Sequence, residues 1–174
     1  LRSIYLQSKE ISLQSQWRSL ILISKETSLE SRGIRGAAMS EIQRINPKGL
    51  ADSSHYGYAQ ITVVPADTKL AYIAGQLGED ENGNFPQDFE GQLKQAFANL
   101  RTALEAVGAT PKQVVKITVL SVDHDSEKQR LISAERNAMW QGDHKSASTL
   151  IPVPRLAVDG ALFEIDAIVA IPNS

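Results

Sequence analysis

The chain closes on STLIPVPRLAVDGALFEIDAIVAIP, Ser148 to Pro172, two strand-like runs on either side of an Asp-Gly pair, and the second run decides the fold. Side chains alternate across a strand. Ala161, Phe163, Ile165, Ala167, Val169 and Ile171 therefore share one wholly apolar face, while Leu162, Glu164, Asp166, Ile168 and Ala170 share the other. The two carboxylates stand on one side, roughly 6.6 Å apart at strand rise. A face turned fully to water has little use for Leu162 and Ile168, so this one reads as half-buried, at a cleft or a subunit contact. The alternative is a strand whose acids simply reach water at its rim, a position that structural ion pairs also favour. Pro152 and Pro154 remove amides from the same edge of the first run, so that run pairs through its other edge. A tight hairpin at Asp159-Gly160 directs this edge toward Phe163 and Glu164, setting Val158 opposite Ala161 and Arg155 opposite Glu164.

Upstream, Ile42 to Asn46, Tyr58 to Val64 and Lys69 to Ala74 read as short strands, with a PADT turn between the second and third and the third closing on Gly75. A helix over Asp88 to Val107 follows from Phe89, Leu93, Phe97, Leu100, Leu104 and Val107 at three- and four-residue steps, and Gly108 stops it. Thr110-Pro111-Lys112-Gln113 has the form of a capping box ahead of a strand over Val114 to Val122. Ser126-Glu127-Lys128-Gln129 has the same form and opens a second helix running to about Trp140. The order strand, strand, strand, helix, strand, helix, strand, strand is that of an α+β domain, a mixed sheet with two helices on one face. The uncovered face, which bears Glu164 and Asp166, is most simply buried by another copy of the chain.

Composition narrows the classes. Of 174 residues, 42% are hydrophobic and 22% charged, with a net charge of -2, as in an ordinary soluble globular protein. Six of the 18 Lys and Arg, but only three of the 20 Asp and Glu, fall in the first 38 residues, which leaves the remainder acidic. Nucleic acid is not an expected partner. With no cysteine there is no disulfide, thiolate nucleophile or Cys-ligated metal, which fits a reducing, cytoplasmic setting. His55, His124 and His144 match no metal-ligand spacing. Residues 1–38 are Ser-rich, and their longest apolar run, Leu20 to Ile23, is far too short for a membrane anchor. They read as extraneous or disordered, either an organelle transit segment or translated upstream sequence, with the folded domain spanning 39–174.

From Met39 onward, YAQ at Tyr58, YIAGQLG at Tyr72, DFEGQLKQAFANLRTALEAVGAT, VVKITVLSVD and TLIPVPRLA followed by LFEIDAIVAI resemble, in order and spacing, the RidA (YjgF-type) family. The resemblance implies a chorismate-mutase-like fold, a homotrimer built round a barrel of sheets with clefts between subunits, and hydrolytic deamination of small-molecule enamines and imines such as 2-aminoacrylate, with no cofactor. It implies Glu164 and Tyr58 as catalytic residues, and Gly75, Ser148 and Ser133 as substrate contacts. Tyr58 also fits a half-buried strand position and Gly75 a mere bend. Ser148 stands where family deaminases carry an arginine that grips the substrate carboxylate, Ala74 where the family often has Ser, Ser133 where it has Asn, and Leu150 where many members have Cys. Altered or weak activity is the expectation, and the alternative is a trimeric small-molecule-binding protein without deaminase activity. Arg155 is a candidate substitute for the missing arginine if the hairpin register holds and otherwise a surface arginine near the hairpin end, whereas Arg136 and Lys145 read as solvated charges.

Overall fold

A computed structural model describes residues 41–171. The expectation for residues 1–38 falls outside them. The elements are β1 (Gln43–Ile45), β2 (Ile61–Val63), β3 (Leu70–Leu77), α1 (Phe89–Ala106), β4 (Val114–Val122), α2 (Ser126–Met139), β5 (Ala147–Val153) and β6 (Phe163–Ala170). Strands β1 and β2 form a small antiparallel ladder, and the other four make a mixed sheet in the order β3-β6-β4-β5. The helices and strands arise where the apolar periodicity places them.

Asp88 caps α1 by accepting the Gly91 N–H at 2.7 Å, and Phe89, Leu93, Ala96, Phe97, Leu100 and Leu104 form its buried stripe. This stripe lies on Ile117 and Val119 of β4 and on Phe163, Ile165, Ala167 and Val169 of β6, all at most 2% exposed. Phe97 stacks on Phe163 and meets Trp140 edge-on, which ties α1, β6 and the end of α2 into one core. At Thr110 the capping box forms, with Gln113 Oε1 accepting from the Thr110 N–H and hydroxyl at 2.9 and 2.6 Å. On α2 the cap lies one residue earlier than expected. Asp125, not Ser126, accepts the Lys128 N–H, at 2.8 Å, because an ionised side chain is the stronger acceptor at a helix start.

The last two strands do not pair with each other. Ala161 does close a turn on the Val158 carbonyl at 3.2 Å, as the Asp-Gly signal requires. Both edges of β6 are occupied, by β3 and β4, each antiparallel. Strand β5 instead arrives through the α2 crossover and lies parallel to β4, with Ser148 beside Ile117 and Pro152 beside Ser121. It is an edge strand, where a missing proline amide costs no ladder bond. Arg155 consequently does not face Glu164; its Nη2 donates to Asp159 Oδ1 at 3.0 Å on the exposed turn. Strand β3 likewise runs past Gly75 to Leu77, through a bulge between Ile73 and Gln76.

Candidate functional site

Two features aim Glu164 at the uncovered face. From the helix side, the buried amide of Gln92 donates to the carbonyls of Pro86 and Gly160 at 3.0 and 2.9 Å and accepts the Leu162 N–H at 2.7 Å, which fixes the chain two residues before Glu164. From β3, Gly75 makes room for the carboxyl. A Cβ at position 75 would stand 1.7 Å from Glu164 Oε1 and 2.6 Å from its Cδ, so the side chain lies flat across the glycine at the bulge. Bulges re-aim side chains where a ladder must accommodate one. Gly75 is thus more than a bend.

Register places Glu164 beside Leu120 and Asp166 beside Thr118, with Lys116 and Ile168 next along the stripe. Burial, and secondarily the negative Asp166 beside it, hold the Glu164 carboxyl above the usual carboxylate range. Asp166 Oδ1 accepts the Thr118 N–H at 3.0 Å. The Lys116 ammonium donates to Thr149 Oγ1. Burial lowers its pKa, against the opposing pull of Asp166. Lys116 was absent from the sequence-based candidates, although it shares the parity of Thr118 and Leu120 along β4. The stripe combines an acid that is easily protonated, a second carboxylate and a cation, enough to move protons on a small molecule held against it.

The other candidates lie elsewhere in the subunit. Ala59 and Ala147 form a parallel bridge, and Tyr58 and Ser148 stand one residue to either side of it. Ser148, beside buried Ile117, is on the helix-covered side of β5, and its hydroxyl is buried without a partner. Tyr58 is half-buried near Arg136. The Ser133 hydroxyl on α2 donates to the Gln129 carbonyl at 2.8 Å and accepts from the Gln129 side chain at 3.0 Å. It borders an open groove of about 430 Å³ between α2 and the Ser54–Tyr56 turn, lined also by His55, Tyr56 and Asn137 but by neither Glu164 nor Gly75. One chain therefore brings Glu164 to Gly75 and Tyr58 toward Ser148, but leaves the two sets on opposite sides of the sheet.

Arg136 corrects the expectation of a solvated charge: it is 2% exposed, on the inner side of α2. Ile132, Arg136 and Met139, at steps of four and three, form the buried stripe of that helix, so spacing alone could have found it.

The family model described as endoribonuclease L-PSP matches residues 51–171. The chain belongs to this family, of the RidA/YjgF type. Its segment is 30% identical over 104 residues to RutC family protein YjgH of Escherichia coli, covering 60% of this chain and 77% of that one. It is 35% identical over 100 residues to a RutC family protein of Pyrococcus horikoshii, covering 56% and 75% respectively. Among solved structures, the Rid family protein YyfB of Yersinia pestis, described as of unknown function, superposes with a TM-score of 0.70 at 30% identity over 75% of this chain and 98% of that one. The α+β architecture expected from the sequence is thereby the family's. No helix among the described residues is long and apolar enough to cross a membrane.

Proposed function

We propose that the protein hydrolyses reactive imines and enamines to carbonyl compounds and ammonia, in the cytoplasm, within clefts between the subunits of a homotrimer. The observation that carries this reading is the Glu164 carboxyl laid across Gly75 on an uncovered sheet face, with its pKa raised. Two sets of candidate residues on opposite sides of one subunit also suit a cleft that a second copy completes.

The chemistry consumes only water. In its acid form Glu164 protonates an enamine at carbon, leaving an iminium ion, or protonates an imine at nitrogen. The resulting carboxylate takes a proton from the water that attacks the C=N carbon, giving a carbinolamine. Proton transfer to nitrogen then releases ammonia and leaves C=O. A carboxyl held above its ordinary pKa is easier to protonate for the first step, and its carboxylate form is the base for the second. Tyr58 and Ser133, from a neighbouring subunit, position substrate and water. Ser148, lacking a cation, changes which substrates are held.

The test generates imines with an amino-acid oxidase and follows ammonia release. Glu164→Gln keeps the shape and removes the titrating group, so turnover should fall at least about a hundredfold. Sedimentation should give three chain masses for wild type and variant alike. Undiminished turnover in Glu164→Gln, or a monomer with full activity, overturns the reading. Tight small-molecule binding without turnover by the wild type would favour a binding protein.

A further inference from the structure

The covered side of the sheet holds a charge that the fold leaves unbalanced. Arg136 is buried in the same helix stripe as Ile132 and Met139, and its Nε and Nη2 have no hydrogen-bond partner among the described residues. The ion pairs among the described residues are Lys94–Glu90, Arg130–Glu127 and Arg155–Asp159, none of which involves it. The Tyr58 phenol acts on it in the raising direction, against the larger effect of burial, and Arg136 in turn helps to lower the pKa of Lys116. Burial pushes the guanidinium down to about 10, so it stays charged at neutral pH. Two other buried polar atoms are in the same condition: the hydroxyls of Ser146 and Ser148. These residues are two apart along one run, hence on one side, and Ser148 neighbours Ile117, which packs in the same core as Ile132. Arg136 is thus buried on the inner side of α2, and the two hydroxyls lie on the helix-covered side of the β5 run.

A buried, unpaired cation is among the most unfavourable arrangements a fold can keep, and native proteins resolve it with an anion. Nε and Nη2 lie along one edge of the guanidinium, spaced to hold both oxygens of a carboxylate. At the base of this side chain the Gly57 turn comes close to the helix. A Cβ at Gly57, whose φ is +78°, would lie 2.7 Å from Arg136 Cβ, so only glycine lets the turn settle on the helix there. The groove lined by His55, Tyr56, Ser133 and Asn137 runs over the same two elements, beside Gly57 on the turn and Arg136 on α2. Arg136, Ser146 and Ser148 do not line it, so a ligand in the groove reaches them only if this turn moves.

We propose that Arg136, with Ser146 and Ser148, forms a carboxylate subsite that receives the acid group of a small organic substrate or product. The inference rests on the small-molecule reading above and deepens it: the substrates are anionic, and the planar cation missing from position 148 is supplied by α2. Ser148 then has a positive role, since a short hydroxyl leaves room for the guanidinium and donates to the same carboxylate, where a second arginine would crowd it.

Calorimetric titration of the full chain with pyruvate and with methyl pyruvate tests this, because the two share the keto acid skeleton and differ in charge, the ester adding one methyl group. Pyruvate should bind at least about tenfold more tightly. Arg136→Gln should erase the difference, Arg136→Lys should retain part of it, and Ser148→Ala should weaken pyruvate alone. Without ligand, Arg136→Met should melt no lower than wild type, since it removes an unbalanced charge. Equal affinity for acid and ester, or pyruvate binding unchanged in Arg136→Gln, overturns the proposal. So does an Arg136→Gln chain whose ligand affinity is intact but whose subunits dissociate, which would assign the counter-anion to a carboxylate of a second copy. If Arg136→Gln does not fold, the Lys and Ser148→Ala variants decide through the same acid-to-ester ratio. Loss of this ratio with Glu164-dependent hydrolysis of uncharged imines intact would remove the anchor and leave the hydrolase reading standing.

Discussion

The two faces of β6 are made from alternate residues of one strand, yet they do opposite work. Phe163, Ile165, Ala167 and Val169 are sealed under α1, while Glu164, Asp166 and Ile168 on the other side are only half-buried. The first set holds the strand in place and contains no group that can react. The second contributes little to the core of the single subunit and carries two carboxylates beside Lys116. Stability and chemistry are thus separated by the parity of the residue number, which predicts that a change on one face should leave the property of the other nearly untouched.

The largest departure expected from a single atom pair is at Gly75. Gly75→Ala places a methyl group where Glu164 Oε1 now lies, at a position exposed in the subunit. Its φ is not in the left-handed region, so the backbone can keep its course and the carboxyl must move. Activity should fall by about tenfold to a hundredfold, as for other displacements of a reacting group by an ångström, while the melting temperature stays close to wild type. Steady-state turnover and a thermal melt on the same sample check this. A large loss of stability would mean that the open face supports the fold after all.

The converse change is Gln92→Leu, made from the covered side. It leaves the Leu162 N–H and the carbonyls of Pro86 and Gly160 without their partner and should cost about 1–3 kcal/mol of stability in a denaturant titration. Activity at a temperature where the variant is folded should fall much less than in Gly75→Ala. If the two variants lose activity equally, Gln92 positions Glu164 as directly as Gly75 does, and the division between faces fails.

The same division governs what could be read before the structure. Alternation sorts the residues of β6 by face, and helix spacing finds the core stripe of α1 from Phe89 to Leu104, because both periods are set by local backbone geometry; Val107, the last position in that spacing, is exposed at the helix cap. Neighbours in the sheet are not local. Nothing in TLIPVPRLA distinguishes a strand that turns back on β6 from one that a crossover has carried to the far edge of β4, so the expected approach of Arg155 to Glu164 was lost with the hairpin. Gly75 drew its meaning from the family resemblance, since a glycine under a carboxyl and a glycine at a bend look alike in sequence. Arg136 is legible by spacing, in step with Ile132 and Met139, but its charge argues for solvent as strongly as its position argues for the core.

The smallest expected effect concerns the acid on the open face whose ionisation is coupled to folding. Glu164 has its pKa raised in the folded chain, by burial first and by Asp166 second. Between the ordinary carboxyl value and this higher one, the folded state holds more protons than the unfolded state, so stability falls as pH rises through that window and is constant above it. Glu164→Gln cannot titrate and escapes the loss. Its melting temperature relative to wild type should therefore rise across the window and level off above it, by a small margin, since a half-buried carboxyl has much of its electrostatics screened. Adding Asp166→Asn to both proteins should shrink the margin without removing it, because burial is the larger cause. A margin that disappears in this background would make the repulsion between the carboxylates the principal cause, and a margin that narrows as pH rises would show that the folded chain favours the charged form of Glu164 and would remove the basis for its role as an acid.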